Sequence, residues 1–337
     1  MLAFGQAGVG GRLLNADGVL WDALRVPFIS VLADSPSQLP TNHQIAAIYV
    51  ANGYVYKDWL DVWRRFVRSP QIAGLLPQPA LRNSQRDATP WSERRHRMVL
   101  VKTGRAPEEH RRSWSGWPRR FRAIVEDCAA AALAAGVGDI TDVFLAAADH
   151  HGLALEGRPE VLFFLMNAAD LYLRDLRSTA MVQALLDLPV DVIGRGWDHL
   201  KSGSHRARFH PPLDAETLPL LFAETQFLLN TLPNFSYGTH ERVLYGFAGR
   251  CCVVTNENAD MRQRFRDLPT YFAIDTESPE LADRLAAIYH GEERFDDRTQ
   301  PALDLVETQF SAEAFMRALI ELSLEVRAAA ALPPLKP

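Results

Sequence analysis

The segment Gly238–Arg242, with the sequence Gly-Thr-His-Glu-Arg, holds the side chains best suited to chemistry in this chain. It follows an apolar run that ends near Asn230, and it precedes a pattern typical of a helix. The first turn of a helix offers backbone N–H groups and the positive end of the helix dipole to an anion. Arg242 would add a forked, permanently charged donor. The segment therefore predicts a diphosphate site on a helix that starts near Thr239. A plain surface helix is the alternative, because helix starts are commonly polar.

Carboxylate and imidazole side chains are the candidates for catalysis. Glu241 offers acceptors to the hydroxyls of a ribose or a sugar, and His240 can donate to a phosphate or to a sugar oxygen. Asp34 ends an apolar run and precedes Ser35 and Pro36, so it is a candidate general base for an acceptor hydroxyl. A turn-forming aspartate that caps its loop is the alternative for Asp34. His43 is a second candidate for the base.

Two further loops follow predicted strands and add candidates for binding the same ligand. Gly194 and Gly196 would let the backbone approach a ligand closely. The indole of Trp197 would stack on a nucleobase or line the pocket. The alternative is that Trp197 is a core residue. Arg105, with Lys102 second, follows another apolar run and would neutralise charge on a departing diphosphate.

Apolar runs alternate with helical patterns along the chain and predict an α/β fold. Runs typical of buried parallel strands occur at 27–34, 45–53, 72–79, 98–104, 189–197, 226–232, 251–257 and 270–275. Helical periodicity occurs at 57–68, 119–135, 159–187 and about 311–330. Such alternation predicts two Rossmann-like domains, of which the N-terminal one is short or incomplete. We place them at 1–92 and 93–330, with a helical insertion at about 117–187 and a polar linker at 82–97.

Composition excludes several classes of protein. With 337 residues, 47% of them hydrophobic, the chain has apolar mass for two cores. A net charge of -5 argues against a nucleic-acid binder, which usually carries a basic excess. No apolar run reaches the ~18 residues of a membrane-spanning helix, and no signal peptide is recognisable. Three cysteines fit neither a disulfide framework nor a zinc site, so we expect a reduced cytoplasmic protein.

A longer pattern, N-x-x-P-x-F-x-x-G-x-H-E-R-V, surrounds the Gly238–Arg242 segment. It is carried by Asn230, Pro233, Phe235, Gly238, His240, Glu241, Arg242 and Val243. This pattern resembles the signature of the spore-maturation-protein (CgeB-like) glycosyltransferases, a bacterial family of the group 1 type with the two-Rossmann GT-B architecture. The chain departs from the family at Arg250, where relatives usually have glycine. It also has Tyr245 where many retaining GT-B enzymes carry a ribose-binding glutamate, which leaves Glu241 as the ribose candidate.

The resemblance implies transfer of a sugar from a nucleotide-diphosphate donor to a glycan, lipid-linked or protein acceptor, as in polysaccharide biosynthesis. It places Asn230, Gly238, Thr239 and Arg242 on the donor side, together with Gly194 and Gly196. We expect no cofactor and no metal ion, since the remaining histidines, including His150-His151, show no metal-ligand spacing and the phosphates would be neutralised by arginine and a helix start. Nucleic acid is not an expected partner, no transmembrane segment is predicted, and peripheral contact with a membrane stays open.

Two other functions remain as alternatives. A non-catalytic or truncated nucleotide-sugar-binding module is the first, because residues 1–90 supply only about four strands. A Rossmann oxidoreductase is the second, and it rests on the glycine-rich run at 5–11. That run has an imperfect spacing to the acidic residue of a nicotinamide-binding fingerprint, and an oxidoreductase would leave the second domain unexplained.

Overall fold

A computed structural model describes residues 3–15, 18–67, 69, 71–80, 89–155 and 157–332. The chain divides into two compact units, and each is described by itself. The first comprises Met1–Pro79, Leu153–Asn167 and Ser311–Pro337, and the second comprises Ala80–Gly152 and Ala168–Phe310. The division differs from a single cut near residue 92, because the C-terminal segment returns to the first unit.

Strands and α-helices alternate over most of the described chain. The strands are β1 (Ala3–Gln6), β2 (Leu14–Asn15), β3 (Gly18–Val19), β4 (Phe28–Leu32), β5 (Val50–Tyr54), β6 (Ala73–Leu75), β7 (His96–Val101), β8 (Asp191–Ile193), β9 (Arg208–His210), β10 (Thr225–Asn230), β11 (Cys252–Thr255) and β12 (Tyr271–Ala273). The helices are α1 (Leu20–Leu24), α2 (Lys57–Phe66), α3 (Pro107–Trp114), α4 (Arg119–Ala135), α5 (Thr141–His150), α6 (Pro159–Leu185), α7 (Leu218–Ala223), α8 (Glu241–Ala248), α9 (Ala259–Phe265), α10 (Leu281–His290), α11 (Gln300–Gln309) and α12 (Ala312–Ala331). The predicted α/β class is confirmed.

The first unit is built on a four-stranded parallel sheet in the order β1-β4-β5-β6. Its strands are apolar on both faces, and β4 and β5 are almost fully buried, as parallel strands covered on both sides should be. Helix α12 packs against β4, β5 and β6, with Leu319, Leu322 and Val326 buried. At Gly74, on β6, a Cβ atom would lie only 3.2 Å from Leu322, so the glycine allows this close approach.

The second unit contains a six-stranded parallel sheet in the order β12-β11-β10-β7-β8-β9. From β7 the chain adds β8 and β9 on one side, and it then crosses to β10 on the other. The strand order therefore reverses between β7 and β10, whose pairing places His96 beside Thr225 and Leu100 beside Leu229. In open α/β sheets, ligands bind outside the carboxyl ends of the strands at this kind of switch point.

A buried arginine fixes the loop that follows β10. Arg177, on α6, is 1% exposed. Its guanidinium donates to Asn234 Oδ1 at 2.5 Å, to Glu277 Oε1 at 2.6 Å and to the Gly136 carbonyl at 2.8 Å. The Asn234 amide in turn donates to Asp170 Oδ1 at 2.8 Å. Because one guanidinium joins three separate loops to α6, the backbone beyond β10 has a single well-defined path.

The described part of the predicted linker over 82–97 contains buried residues. Residues 82–88 lie outside the described residues. Trp91 is 3% exposed and belongs to the core of the second unit, where its ring packs against Phe227 and Phe295. Arg94 is also buried, and it donates to the carbonyls of Thr225 and Arg250. Trp91 and Arg94 thus anchor the entry to β7 in the second unit.

Among the described residues, no helix combines the length and the apolar character that crossing a membrane requires.

Replacing Arg177 by methionine should destabilise the protein strongly. The substitution keeps an unbranched side chain but leaves Glu277 and Asn234 without their donor, so we expect the free energy of unfolding to fall by about 3–5 kcal/mol. Urea unfolding followed by circular dichroism measures this change. Arg266→Met is the control, because the Arg266 side chain is 71% exposed, and it should change stability by no more than about 0.5 kcal/mol. Equal effects of the two substitutions would contradict the role given to Arg177.

Candidate functional site at the switch point of the second sheet

The loop from β10 to α8 places the Gly238–Arg242 segment at the carboxyl end of the sheet. Gly238 adopts a φ of 121°, which favours glycine. Its N–H donates to Asp260 Oδ2 at 3.1 Å, and its carbonyl accepts from Asn258 Nδ2 at 3.2 Å. Two side chains at the start of α9 therefore hold the turn that leads into α8.

Helix α8 begins one residue later than predicted. His240 is the N-cap residue, with φ −65° and ψ 141°, and its carbonyl accepts from the Val243 N–H at 3.0 Å. Thr239, the predicted N-cap, precedes it and is 2% exposed. The first helical turn thus consists of Glu241, Arg242 and Val243. Helix starts lack intrahelical acceptors for their first N–H groups, so this turn presents donors toward the carboxyl end of the sheet.

Three cationic side chains converge on this turn. Burial lowers the pKa of Lys102 well below the ordinary lysine value, and the positive charges of Arg174 and Arg242 lower it further. Asp175 and Glu241 oppose that shift. Arg242 also donates from Nη1 to Asn230 Oδ1 at 3.4 Å. An anion bound here would favour the charged form of Lys102 and offset the repulsion between its ammonium and the two guanidinium groups.

His240 is buried beside the same charges and is neutral. Burial, followed by the charges of Arg242, Lys102 and Arg174, lowers the pKa of His240 well below that of a free histidine. Its Nε2 lies 3.4 Å from Glu241 Oε2. A neutral imidazole carries one donor nitrogen and one acceptor nitrogen, so His240 can act on either kind of ligand atom.

Several buried polar atoms near the ends of β10 and β11 find no hydrogen-bond partner among the described residues. They are Thr231 Oγ1, Thr239 Oγ1, His240 Nδ1 and Asn256 Nδ2. Each of these residues is 5% exposed or less. Burying a polar group without a partner is costly, and such groups are rare in folded proteins. The four atoms belong to residues that follow two paired strands, where they are available to a polar ligand.

Asn230 has a structural role beside its contact with Arg242. It is fully buried at the end of β10, and its Nδ2 donates to Thr255 Oγ1 on β11 at 3.1 Å. The amide oxygen faces the Arg242 guanidinium. Asn230 therefore orients the arginine and joins two strand ends. This position is consistent with its predicted place on the donor side.

The loop after β8 packs on the loop after β7, and this packing corrects the stacking role predicted for Trp197. A Cβ atom on Gly194 would lie 2.1 Å from the Lys102 carbonyl, and one on Gly196 would lie 1.9 Å from the Gly104 carbonyl. Trp197 is fully buried in the core, and its Nε1 donates to the Lys102 carbonyl at 2.9 Å. The two glycines thus allow the loops after β7 and β8 to touch. Trp197 holds the Lys102 backbone through its hydrogen bond from within the core. The indole is not accessible for stacking on a base.

A cavity of about 400 Å³ lies beside this loop pair. It is lined by Thr103, Gly104, Arg105, His110, Leu171, Asp175, Arg195 and Gly196. The predicted Arg105 is on this wall, where its Nε lies 3.2 Å from Glu109 Oε2. The cavity was not predicted from the sequence, because His110 and Asp175 belong to helices far apart in the chain. The fold brings His110 Nε2 within 2.7 Å of Asp175 Oδ2.

Asp34 and His43 belong to the first unit. Asp34 is partly buried and lies two residues beyond the end of β4, as expected for a loop at the carboxyl end of a strand. His43 is fully buried, its Nδ1 lies 2.7 Å from the Tyr54 hydroxyl, and burial lowers the pKa of His43 to about 3. An imidazole without solvent access is unsuited to activating an acceptor. His43 is therefore a core residue, and Asp34 is the remaining candidate base.

Residues 174–321 match the model of the glycosyl transferase-like family. This stretch includes Arg174, Asn230 and the whole Gly238–Arg242 segment, but it covers less than half of the chain. The chain thus contains a glycosyltransferase-like segment, and the diphosphate-site candidates lie mainly within it. No curated protein matches the sequence.

Several solved structures are similar to this chain at low sequence identity. Sucrose-phosphate synthase from Thermosynechococcus elongatus has 11% identity, with 97% of this chain and 74% of that chain covered and a TM-score of 0.49. T4 phage BGT in complex with its UDP-glucose substrate has 9% identity, 91% and 74% coverage and a TM-score of 0.44. The GtfA/B complex has 13% identity and a TM-score of 0.40, with 91% of this chain covered. The chain spans 59% of the length of that last protein.

Gly104→Ala should disturb the Lys102 loop. The added Cβ would lie 2.5 Å from the ring of Trp197, which is buried and cannot move aside. We expect a loss of about 1–3 kcal/mol in the free energy of unfolding, the usual cost of overpacking. Urea unfolding measures it. Gly116→Ala is the matched control, because a Cβ there meets nothing within 4 Å. A Gly104→Ala protein as stable as the control would contradict the close packing of the two loops.

Proposed function

We propose that the chain is a glycosyltransferase of the GT-B architecture that moves a sugar from a nucleoside-diphosphate donor to a hydroxyl acceptor. One observation carries the proposal. The charges of Lys102, Arg174 and Arg242 act on one another and on His240 at the start of α8, and four unpartnered buried polar atoms belong to residues that follow the neighbouring strands β10 and β11. Apart from Lys102, these residues lie within the segment that matches the glycosyl transferase-like family model. Among anionic ligands, a diphosphate would both neutralise the cations and accept from the helix start.

The donor diphosphate is the leaving group in this reaction, and its negative charge grows as the bond to the sugar breaks. Arg242, Lys102 and the first N–H groups of α8 would stabilise that charge without rearranging, since the fold already holds them in place. The side chain of Arg174 adds positive charge to the same site. Catalysis would then consist mainly of positioning and of charge stabilisation in the transition state.

His240 and Glu241 would orient the sugar and the ribose. Because the pKa of His240 is lowered, its imidazole stays neutral and can donate from one nitrogen while it accepts at the other. Glu241 is only half-exposed at the first position of α8, where its carboxylate can accept hydrogen bonds from hydroxyl groups. These roles follow the resemblance to the CgeB-like glycosyltransferases, and they assign the ribose to Glu241.

The phosphates would be neutralised by Lys102, Arg174, Arg242 and the helix dipole, so we propose transfer without a metal ion. Asp34 would act as the base that deprotonates the acceptor hydroxyl if the reaction inverts the anomeric centre. A glycan, a lipid-linked sugar or a protein is the acceptor class that the resemblance supports. We place the reaction in the cytoplasm.

A nucleotide-sugar-binding module without transfer activity is the second candidate. The four-stranded sheet of the first unit favours it, because a complete GT-B N-terminal domain usually holds six or seven strands. A thermal-shift screen against sugar nucleotides, followed by a transfer assay with the bound donor, separates the two candidates. Binding raises the melting temperature in both cases. Release of nucleoside diphosphate during the assay supports the enzyme, and its absence supports the module.

Arg242→Ala should weaken nucleoside-diphosphate binding by roughly 10- to 100-fold, the equivalent of ~1.5–3 kcal/mol for a charge-assisted hydrogen bond. Isothermal calorimetry with UDP, GDP and CDP measures the affinity. Arg262→Ala is the control, because Arg262 is an exposed arginine on the next helix that pairs with Glu257 at 2.6 Å. Unchanged affinity in Arg242→Ala, with the fold intact by circular dichroism, would refute the diphosphate site.

For an inverting reaction, Asp34→Asn should lower the turnover number about 100-fold or more, since the amide cannot accept the acceptor proton. The affinity for the nucleoside diphosphate should stay at the wild-type value, because the cationic site belongs to the second unit. Steady-state kinetics together with calorimetry separates the two effects. A turnover number within twofold of wild type would remove Asp34 from the mechanism and leave the donor site unaffected.

A further inference from the structure

The helical hairpin of α4 and α5 carries a cluster of potential metal ligands that the proposed function does not use. Asp127 lies on α4, His150 is the last residue of α5, and His151 follows it. The ligand atoms of these three side chains all lie within 4.8 Å of one another. In the part of the chain that the structure describes, no other group of three such side chains is found this close.

The fold creates this cluster, which the sequence spacing of His150-His151 did not reveal. His151 Nε2 lies 2.7 Å from Asp127 Oδ2, a carboxylate 24 residues earlier in the chain. The His150 and His151 rings stand at 80° with centroids 5.1 Å apart. The backbone is held in place, since the His151 N–H donates to the Ala147 carbonyl and the Gly152 N–H donates to the Asp149 carbonyl.

The donor set suits a transition-metal ion of the zinc type. Two imidazoles and one carboxylate form a common three-ligand set for Zn²⁺, with water in the fourth position. Ligand bonds of ~2.0–2.1 Å in a tetrahedral site require neighbouring ligand atoms roughly 3.3 Å apart. The present spacing of the three side chains reaches that value after small rotations, because Asp127 and His150 are exposed.

We propose that Asp127, His150 and His151 form a binding site for Zn²⁺ or a similar divalent transition metal that clamps α4 to α5. The site lies outside residues 174–321 and is separate from the cationic site. The turn at the opposite end of this hairpin contacts the β10–α8 loop, because the Asp139 N–H donates to Ser236 Oγ at 2.9 Å. The ion would therefore steady an element that packs on the candidate donor site.

Calorimetric titration of Zn²⁺ into the full chain, prepared without a histidine tag and treated with chelator, tests the site. We expect one equivalent to bind, and the double substitution His150→Ala/His151→Ala to weaken this binding at least tenfold. Asp127→Asn should weaken it to a smaller extent, since one ligand of three is changed. His290→Ala is the control, because His290 is a histidine at the end of another helix, and it should bind like wild type.

Visible absorption spectroscopy gives a second readout, which reports on the coordination geometry of the metal site. Co²⁺ in place of Zn²⁺ should give visible absorption typical of a site with imidazole ligands, and the double substitution should abolish it. No saturable binding to the wild-type chain would overturn the proposal. Unchanged binding after the double substitution, with circular dichroism showing an intact fold, would overturn it as well. An equal loss in His290→Ala would do the same, because it would indicate diffuse binding to surface histidines.

Discussion

The proximity of Lys102, Arg174 and Arg242 is the electrostatic constraint on which the proposed donor site depends. Burial and the two guanidinium charges lower the pKa of Lys102, and the same charges help to keep His240 neutral. A fold that holds such charges together without an anion pays in free energy for the arrangement. A bound diphosphate would relieve the repulsion and give the unpartnered atoms of Thr239 and Asn256 a partner.

The sheet topology explains how the charges come together. Lys102 follows β7 and Asn230 ends β10. These strands are neighbours because the chain adds β8 and β9 on one side of β7 and then crosses to the other side to form β10. Close packing of the loops after β7 and β8 then fixes the position of Lys102. Gly104, Gly194 and Gly196 allow two loops to touch, and Trp197 holds the Lys102 carbonyl from within the core. Arg177 fixes the path of the chain beyond β10.

Much of the fold was predictable, since apolar runs bounded by turn residues mark most of the strands, and α4 matches its predicted span at 119–135. Strand β9 was missed because Arg208–His210 is short and mostly polar. The Gly238–Arg242 segment was also recognisable, because its residues are contiguous. His110 was not, since its helical pattern indicates packing and only the folded chain brings it within 2.7 Å of Asp175.

Departures from the expected roles have physical reasons as well. Trp197 reads as a loop residue in the sequence, but the glycines around it let the loop fold back and bury the indole. Arg250 occupies the place where the CgeB-like glycosyltransferases that the sequence resembles usually have glycine, and it adopts a left-handed φ of 57° just beyond α8. Glycine is favoured there because a helix commonly ends on such a residue. The Arg250 side chain offsets this cost with hydrogen bonds to Thr299 and Gln300.

The most direct test of the account is a crystal structure of the protein soaked separately with UDP, GDP and CDP. We predict that at least one diphosphate orders against the first turn of α8, with phosphate oxygens within hydrogen-bond distance of Arg242 and Lys102 and of the unpartnered Thr239 hydroxyl. A diphosphate that orders elsewhere on the protein, while the Gly238–Arg242 segment remains without ligand, would contradict the diphosphate site at the start of α8.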